Sequence, residues 1–218
     1  MSVNQKEYNK IISEFKDNNI RLVAVSKTKP IEDIVALYDL GQRDFGENYV
    51  QEMVDKNLQV KEADIRWHFI GHLQTNKVKY IAKFVHLIHS VDSLKLLQEI
   101  NKQGFKNNIC IKCLIQIYIA TEETKFGLDE KEFDEIMNLY LNGAFKNVAI
   151  LGVMGMASFS DDKNKVRAEF ANLKAIVSKY PELSIISMGM SQDYKIAIEE
   201  GSNMVRIGSL LFGERNKI

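Results

Sequence analysis

Short apolar runs rich in valine and isoleucine alternate along the whole chain with longer segments whose apolar residues recur at helical spacing. The runs fall at 20–26, 43–46, 66–70, 85–90, 109–119, 148–154, 183–188 and 204–207. Several are hydrophobic throughout rather than at every second position. That is the pattern of parallel strands covered by helices on one face and by a core on the other. Helical spacing marks 8–18, ahead of the first run, and then 31–40, 93–103, 131–141, 165–179 and 193–200.

Punctuation supports the alternation. Pro30 suits the first turn of the helix at 31–40 and Gly41 its end. Asp92 can cap the helix at 93–103, which Gly104 would stop. Asp129 followed by Glu132 reads as a capping box for 131–141, closed by Gly143. Pro181 follows the helix at 165–179, and Ser191 and Gly201 bracket the one at 193–200.

Eight strands alternating with helices in 218 residues predict an α/β fold, a single (β/α)8 TIM barrel with an extra N-terminal helix. No linker or repeat divides the chain, so residues 1–218 read as one domain. An open doubly wound sheet is the alternative. Only the barrel makes the first and last strands neighbours.

Composition narrows the function. Acidic and basic residues balance at 29 each, so no general basic field for nucleic acid is expected. No apolar stretch approaches the roughly 20 residues of a membrane helix. The N-terminus lacks the apolar core of a secretory signal. A cytoplasmic location is the expectation. Cys110 and Cys113 sit three apart on a strand, where side chains point to opposite faces; buried apolar cysteines are expected rather than a disulfide or metal site.

The candidate chemistry lies at the two ends of the chain. Lys27 follows the first strand; if it points inward, Val25 and Val23 do too, and a partly desolvated amine is a nucleophile toward aldehydes. After strands seven and eight come Ser191 and the pair Gly208-Ser209, where barrels of this kind seat phosphate. A lysine amine beside a phosphate seat is what pyridoxal 5′-phosphate (PLP) requires. Arg206 lies in the apolar setting Met204-Val205-Arg206-Ile207 and wants a partner, either an acid such as Glu47 or the pyridine nitrogen of such a cofactor. His68 and His72 do not share a helical face, and His86 and His89 are expected on opposite faces of a strand, so neither pair reads as a zinc site. The lysines at 77–83 read as a solvated helix face.

Five motifs carry a closer resemblance: Ala24-Val25-Ser26-Lys27-Thr28-Lys29-Pro30, Phe45-Gly46-Glu47-Asn48-Tyr49-Val50-Gln51-Glu52, Trp67-His68-Phe69-Ile70-Gly71-His72-Leu73-Gln74-Thr75-Asn76-Lys77, Ser187-Met188-Gly189-Met190-Ser191 and Val205-Arg206-Ile207-Gly208. In this order, over nearly the whole chain, the sequence resembles the pyridoxal phosphate homeostasis protein family. The resemblance implies a barrel similar to the N-terminal domain of bacterial alanine racemase, with PLP as an internal aldimine on Lys27. It implies phosphate contacts from Ser191, Gly208 and Ser209, Arg206 at the pyridine nitrogen, Asn48 and His68 lining the pocket, and Met154 at the ring's edge. Two stretches depart from the family pattern, Gln116-Ile117-Tyr118 and Gly152-Val153-Met154-Gly155-Met156.

A racemase needs an acid–base group on each face of its substrate. In alanine racemase the comparison implies a tyrosine from a second domain, and this sequence ends at Ile218 without one; Tyr49 and Tyr118 are the substitutes to consider. The expectation is therefore a monomeric, non-catalytic protein that stores PLP or delivers it to PLP-requiring apo-enzymes. A racemase-like PLP enzyme is the alternative. A barrel enzyme in which Lys27 attacks a phosphorylated metabolite is a third reading.

Overall fold

The computed structural model describes residues 3–16, 18–120 and 126–213. Residue 17 of the first expected helix and the termini of the expected domain lie outside the described residues. Eight parallel strands close into a barrel in chain order. They are β1 (Arg21–Val25), β2 (Asp44–Glu47), β3 (Arg66–Phe69), β4 (Leu87–Val91), β5 (Ile111–Gln116), β6 (Val148–Met154), β7 (Ile185–Ser187) and β8 (Met204–Ile207). Closure is made by β1 and β8, paired from Arg21 with Met204 to Ala24 with Ile207. The open doubly wound alternative is thereby excluded.

Helices cover the outside: α1 (Gln5–Lys16), α2 (Ile31–Asp39), α3 (Val50–Gln59), α4 (Val78–Ile81), α5 (Leu94–Asn107), α6 (Glu130–Leu141), α7 (Lys163–Val177), α8 (Tyr194–Glu199) and α9 (Ser209–Phe212), with a 3-10 turn over Thr75–Lys77. The large core between helices and sheet includes Leu22, Ala24, Phe45, Trp67, Phe69, Ile88, Val205 and Ile207. The residues between these on the strands face the lumen, because side chains alternate along a strand. A small apolar cluster there comprises Val23, Leu87, Leu114, Met154 and Met204. Val23 is thus inward as expected.

Several local expectations need correction. Helices α3 and α4 carry too thin an apolar stripe to be seen from periodicity: α3 buries only Met53 and Lys56, and α4 only Val78 and Ile81. Helix α5 starts at a Ser93 cap, not Asp92. It runs past Gly104 to a left-handed Asn108. Gly104 is a packing glycine, since a Cβ there would lie 2.5 Å from the Asn147 carbonyl oxygen. The Asp129–Glu132 capping box forms as expected. Strand β5 is shorter than the expected 109–119; Cys110 precedes it and is exposed, while Cys113 is buried.

Candidate functional site

The C-terminal ends of the strands surround a cavity of about 680 Å³. Lys27, Asn48, Ser191, Arg206, Gly208 and Ser209 all line it. The first and last strands therefore bring the lysine and the proposed phosphate seat to the same mouth of the barrel.

The segment carrying Lys27 is held on both sides. Ser26 donates its N–H to the Gly46 carbonyl at 3.0 Å and its hydroxyl to Glu47 Oε1 at 2.6 Å. Its own carbonyl accepts from Lys56 Nζ at 2.7 Å. Thr28 donates its N–H to Glu52 Oε1 at 2.5 Å. Thr28 also sits at φ 62, a left-handed conformation unusual for a residue other than glycine and typical of functional turns. Lys56 closes the clamp by pairing with Glu47 at 2.8 Å and Glu52 at 2.7 Å. Burial raises the Glu47 pKa, and Lys56 opposes that rise. Glu47 was expected only as a partner for Arg206, and Glu52 and Lys56 carried no expectation, although the latter two show the i,i+4 spacing of a helical ion pair. Lys29 donates to the Phe212 carbonyl at 2.8 Å.

At the opposite wall, Ser191 does not cap α8. Asp193 occupies that position, and the Ser191 hydroxyl instead accepts a 3.4 Å hydrogen bond from the Gly208 N–H. This places Ser191 beside the turn that opens α9, whose first N–H groups lack intrahelical partners. Gly208 lies close to the end of β1: a Cβ there would be 3.3 Å from the Val25 carbonyl oxygen. Gly189 has φ +97, and an added Cβ would meet Ala197 Cβ at 2.7 Å, so the β7–α8 turn requires glycine.

Arg206 is buried and does not pair with Glu47, which is committed to Lys56 and Ser26. Its Nη1 donates to the Ser187 carbonyl at 2.8 Å and to Ser187 Oγ at 2.7 Å, and its Nη2 to the Gly155 carbonyl at 3.1 Å. Burial lowers its pKa to about 10. Asn48 presents a buried Oδ1 with no hydrogen-bond partner, an acceptor left open at the wall of the cavity.

Two expected positions lie elsewhere. Met154 is fully buried in the lumen cluster, and Met156, two residues on, lines the cavity instead. His68 is also buried in the lumen, bonded to Asp44 and His89 rather than lining the cavity. Of the departures from the family pattern, Gly155 meets Arg206 through its carbonyl, and Tyr118 is not among the lining residues. His86 and His89 do not diverge: both rings approach His68, at 5.4 and 5.1 Å. His86 precedes β4, so strand alternation does not govern it. Lys77, Lys79 and Lys83 are exposed, as expected for a solvated face. Among the described residues no helix is long and apolar enough to cross a membrane.

A closed barrel with a lysine after β1 and small polar residues after β7 and β8 defines a protein of the alanine racemase N-terminal-domain class. The model of that family, described as "Alanine racemase, N-terminal domain", matches residues 5–216. A pyridoxal phosphate homeostasis protein from Aquifex aeolicus is 43% identical over 204 residues, covering 91% of this chain and 89% of the relative. The protein of that name from Escherichia coli K12 is 37% identical over 207 residues, covering 90% and 86%. The chain belongs to the alanine racemase N-terminal domain family and, within it, to the pyridoxal phosphate homeostasis proteins. Among solved structures, PipY of Synechococcus elongatus without PLP superposes with a TM-score of 0.87 at 31% identity, over 95% of this chain and 99% of that one. PipY with PLP bound gives 0.81 at 31% identity, over 89% and 93%. Alanine racemase of Clostridium difficile shares the fold, with a TM-score of 0.78 at 15% identity; this chain covers 58% of it.

Proposed function

We propose that this chain is a pyridoxal 5′-phosphate-binding protein of vitamin B6 homeostasis, a single barrel domain that holds the cofactor at the C-terminal mouth and releases it to other proteins. The observation that carries this reading is the convergence of Lys27, Ser191, Gly208, Ser209 and Arg206 on one cavity. The residues present fit the group. Asn48 offers an unsatisfied buried polar atom, Gly208 lets the backbone approach, and Ser191 is not consumed as a helix cap. The PipY structure with PLP bound, on a superposable chain, supports the same reading.

Bound PLP would supply an aldehyde carbon and a phosphate. Lys27 would provide the amine for covalent attachment, and the Ser26–Glu47–Lys56–Glu52–Thr28 clamp holds the backbone on either side of it. Ser191, Gly208 and Ser209 would hold the phosphate. Arg206 would donate to the pyridine nitrogen; a guanidinium remains protonated there, so the nitrogen stays unprotonated and electron withdrawal by the ring is weak. Such an arrangement favours carriage over proton abstraction.

Storage and delivery to PLP-requiring apo-enzymes, without turnover, is preferred to racemase-like chemistry for a further reason. Among the described residues, no tyrosine or histidine lines the cavity, so the second acid–base group of a racemase lacks a candidate of that kind. Tyr49 is exposed and outside the lining. The same reading takes the protein to be monomeric and cytoplasmic. Mass spectrometry of borohydride-reduced protein tests it, with the expected outcome one PLP-sized adduct on Lys27, lost in Lys27→Ala. An adduct of a different phosphorylated metabolite would overturn PLP as the ligand, and sustained racemisation of L-alanine or another amino acid would overturn the carrier.

A further inference from the structure

The lumen holds a hydrogen-bonded line that runs from one mouth of the barrel to the other. Its lower end is Asp44, at the start of β2, which takes Arg66 Nε at 2.8 Å and Nη2 at 2.5 Å. Asp44 Oδ1 meets His68 Nε2 at 2.8 Å. His68 Nδ1 meets His89 Nε2 at 2.8 Å, and His89 Nδ1 meets Ser187 Oγ at 3.0 Å. Ser187 Oγ accepts from Arg206 Nη1 at 2.7 Å. His68, His89, Ser187 and Arg206 are all buried, on β3, β4, β7 and β8.

One proton assignment satisfies every bond. Burial alone would raise the Asp44 pKa, but the hydrogen bonds from Arg66 and His68 more than reverse it, so Asp44 is a carboxylate and only accepts. His68 therefore carries its proton on Nε2. Burial lowers the pKa values of His68 and His89, so each ring is neutral and has one acceptor nitrogen. His68 Nδ1 must then accept from His89 Nε2, and His89 Nδ1 from the Ser187 hydroxyl. Arg206 can only donate, and Ser187 Oγ receives it. Every donor thus points from the cofactor mouth toward Asp44.

We propose that Ser187, His89 and His68 are positioning residues that hold the Arg206 guanidinium at the cavity wall, with the Asp44–Arg66 pair at the opposite mouth fixing the direction of the whole line. Among the described residues no carboxylate hydrogen-bonds Arg206; its Nη groups meet the Ser187 carbonyl and hydroxyl and the Gly155 carbonyl. Loss of the Ser187 hydroxyl removes the only side-chain partner of these. The charge at the base of the barrel is thereby felt at the pyridine end of the cofactor site, because aligned hydrogen bonds in a poorly solvated interior polarise one another. A metal is the competing use of the same base: Asp44, His68 and His86 have ligand atoms within 4.8 Å of one another. The observed contacts disfavour it, since both Asp44 oxygens already serve Arg66 and His68.

The inference rests on the proposed PLP site, and its test separates the two. Long-range proton–nitrogen spectra of the unloaded protein report histidine tautomers without any cofactor. The expected result is that His68 and His89 both carry the proton on Nε2, unchanged by added zinc. A proton on Nδ1 of either ring, or loss of the His68 proton on adding zinc, would overturn the line. In PLP-loaded protein, Ser187→Ala should keep the adduct on Lys27, move the absorption maximum of the bound cofactor, and weaken PLP binding about tenfold, the scale of one lost charge-assisted hydrogen bond. Asp44→Asn should move the absorption maximum in the same direction by less. An unaltered spectrum and affinity in Ser187→Ala would reduce these residues to packing and overturn the proposal. If the wild-type protein takes up no PLP, the functional reading fails, and the tautomers still decide the hydrogen-bond line.

Discussion

Gly71 lies directly against the backbone of Asn48: a Cβ at position 71 would fall 2.2 Å from the Asn48 carbonyl oxygen and 2.7 Å from its Cα. Both neighbours are main chain, so no side-chain rotation relieves the overlap. Gly71, in the loop after β3, therefore sets how far the loop after β2 leans over the cavity, and with it the open Oδ1 of Asn48. Gly71→Ala should destabilise the protein by about 1–3 kcal/mol, the usual cost of overpacking. It should also weaken PLP loading by displacing Asn48. Urea unfolding and spectrophotometric PLP titration check the two effects; a variant with native stability and native loading would show that Asn48 can shift without consequence.

The buried pair of Lys56 and Glu47 gives a larger effect. Lys56 is the hub of the clamp beside Lys27, donating to the Ser26 carbonyl, Glu47 and Glu52. Glu47 is fully buried, and its Oε2 already lacks a partner. Lys56→Met would leave a carboxylate in the interior without its cation, which typically costs about 3–5 kcal/mol. The double variant Glu47→Gln, Lys56→Met should recover part of that loss, because the uncompensated charge is gone. Denaturant midpoints of the two variants provide the check: equal destabilisation in both would mean that the buried charge is not the cause.

The alternation of strands with helices and the placement of glycines made the barrel legible, because eight short apolar runs, several of them continuous, separated by helices admit few closed solutions. The convergence of Lys27, Ser191, Arg206, Gly208 and Ser209 on one cavity was legible for the same reason: barrel closure brings the two ends of the chain together. The partners of Arg206 were not. Glu47 was a reasonable acid for it by sequence, yet Glu47 is on β2 and Lys56, one helix later, reaches it first. A single sequence does not encode which of two cations wins a buried carboxylate. The lumen line was hidden by the same limit. His68 and His89 come from the paired strands β3 and β4 and Ser187 from β7 across the barrel, and their meeting depends on barrel closure and register. Met154 was expected at the ring's edge from the resemblance; it ends β6 inside the lumen, and Met156, just beyond the strand, is the methionine that lines the cavity.

The three neighbouring histidines predict a pH dependence of stability with a definite sign. Burial lowers the pKa of each of His68, His86 and His89, that of His86 to about 4. Around them, Asp44 favours the protonated forms of His68 and His86, whereas Arg66 and Arg21 disfavour that of His68, and Arg206 and Arg21 that of His89. A histidine with a lowered folded pKa binds fewer protons folded than unfolded in the interval between the two values. Its contribution is complete above the unfolded value, 6.5, and is lost progressively as pH falls toward the folded one. Each pKa unit corresponds to about 1.4 kcal/mol, and His86, only half buried, will deliver less than its full shift. Asp44 works at lower pH, because its folded pKa is depressed and its contribution is lost only on passing below the ordinary carboxylate range. Stability should therefore drop by roughly 2–4 kcal/mol between about pH 7.5 and about pH 4.5. Urea unfolding across that interval measures it, and His89→Asn should flatten the slope even though it lowers stability at neutral pH. A wild-type curve that is level through this range would mean that the histidines are protonated in the fold, and the neutral tautomers assigned to the lumen would be wrong.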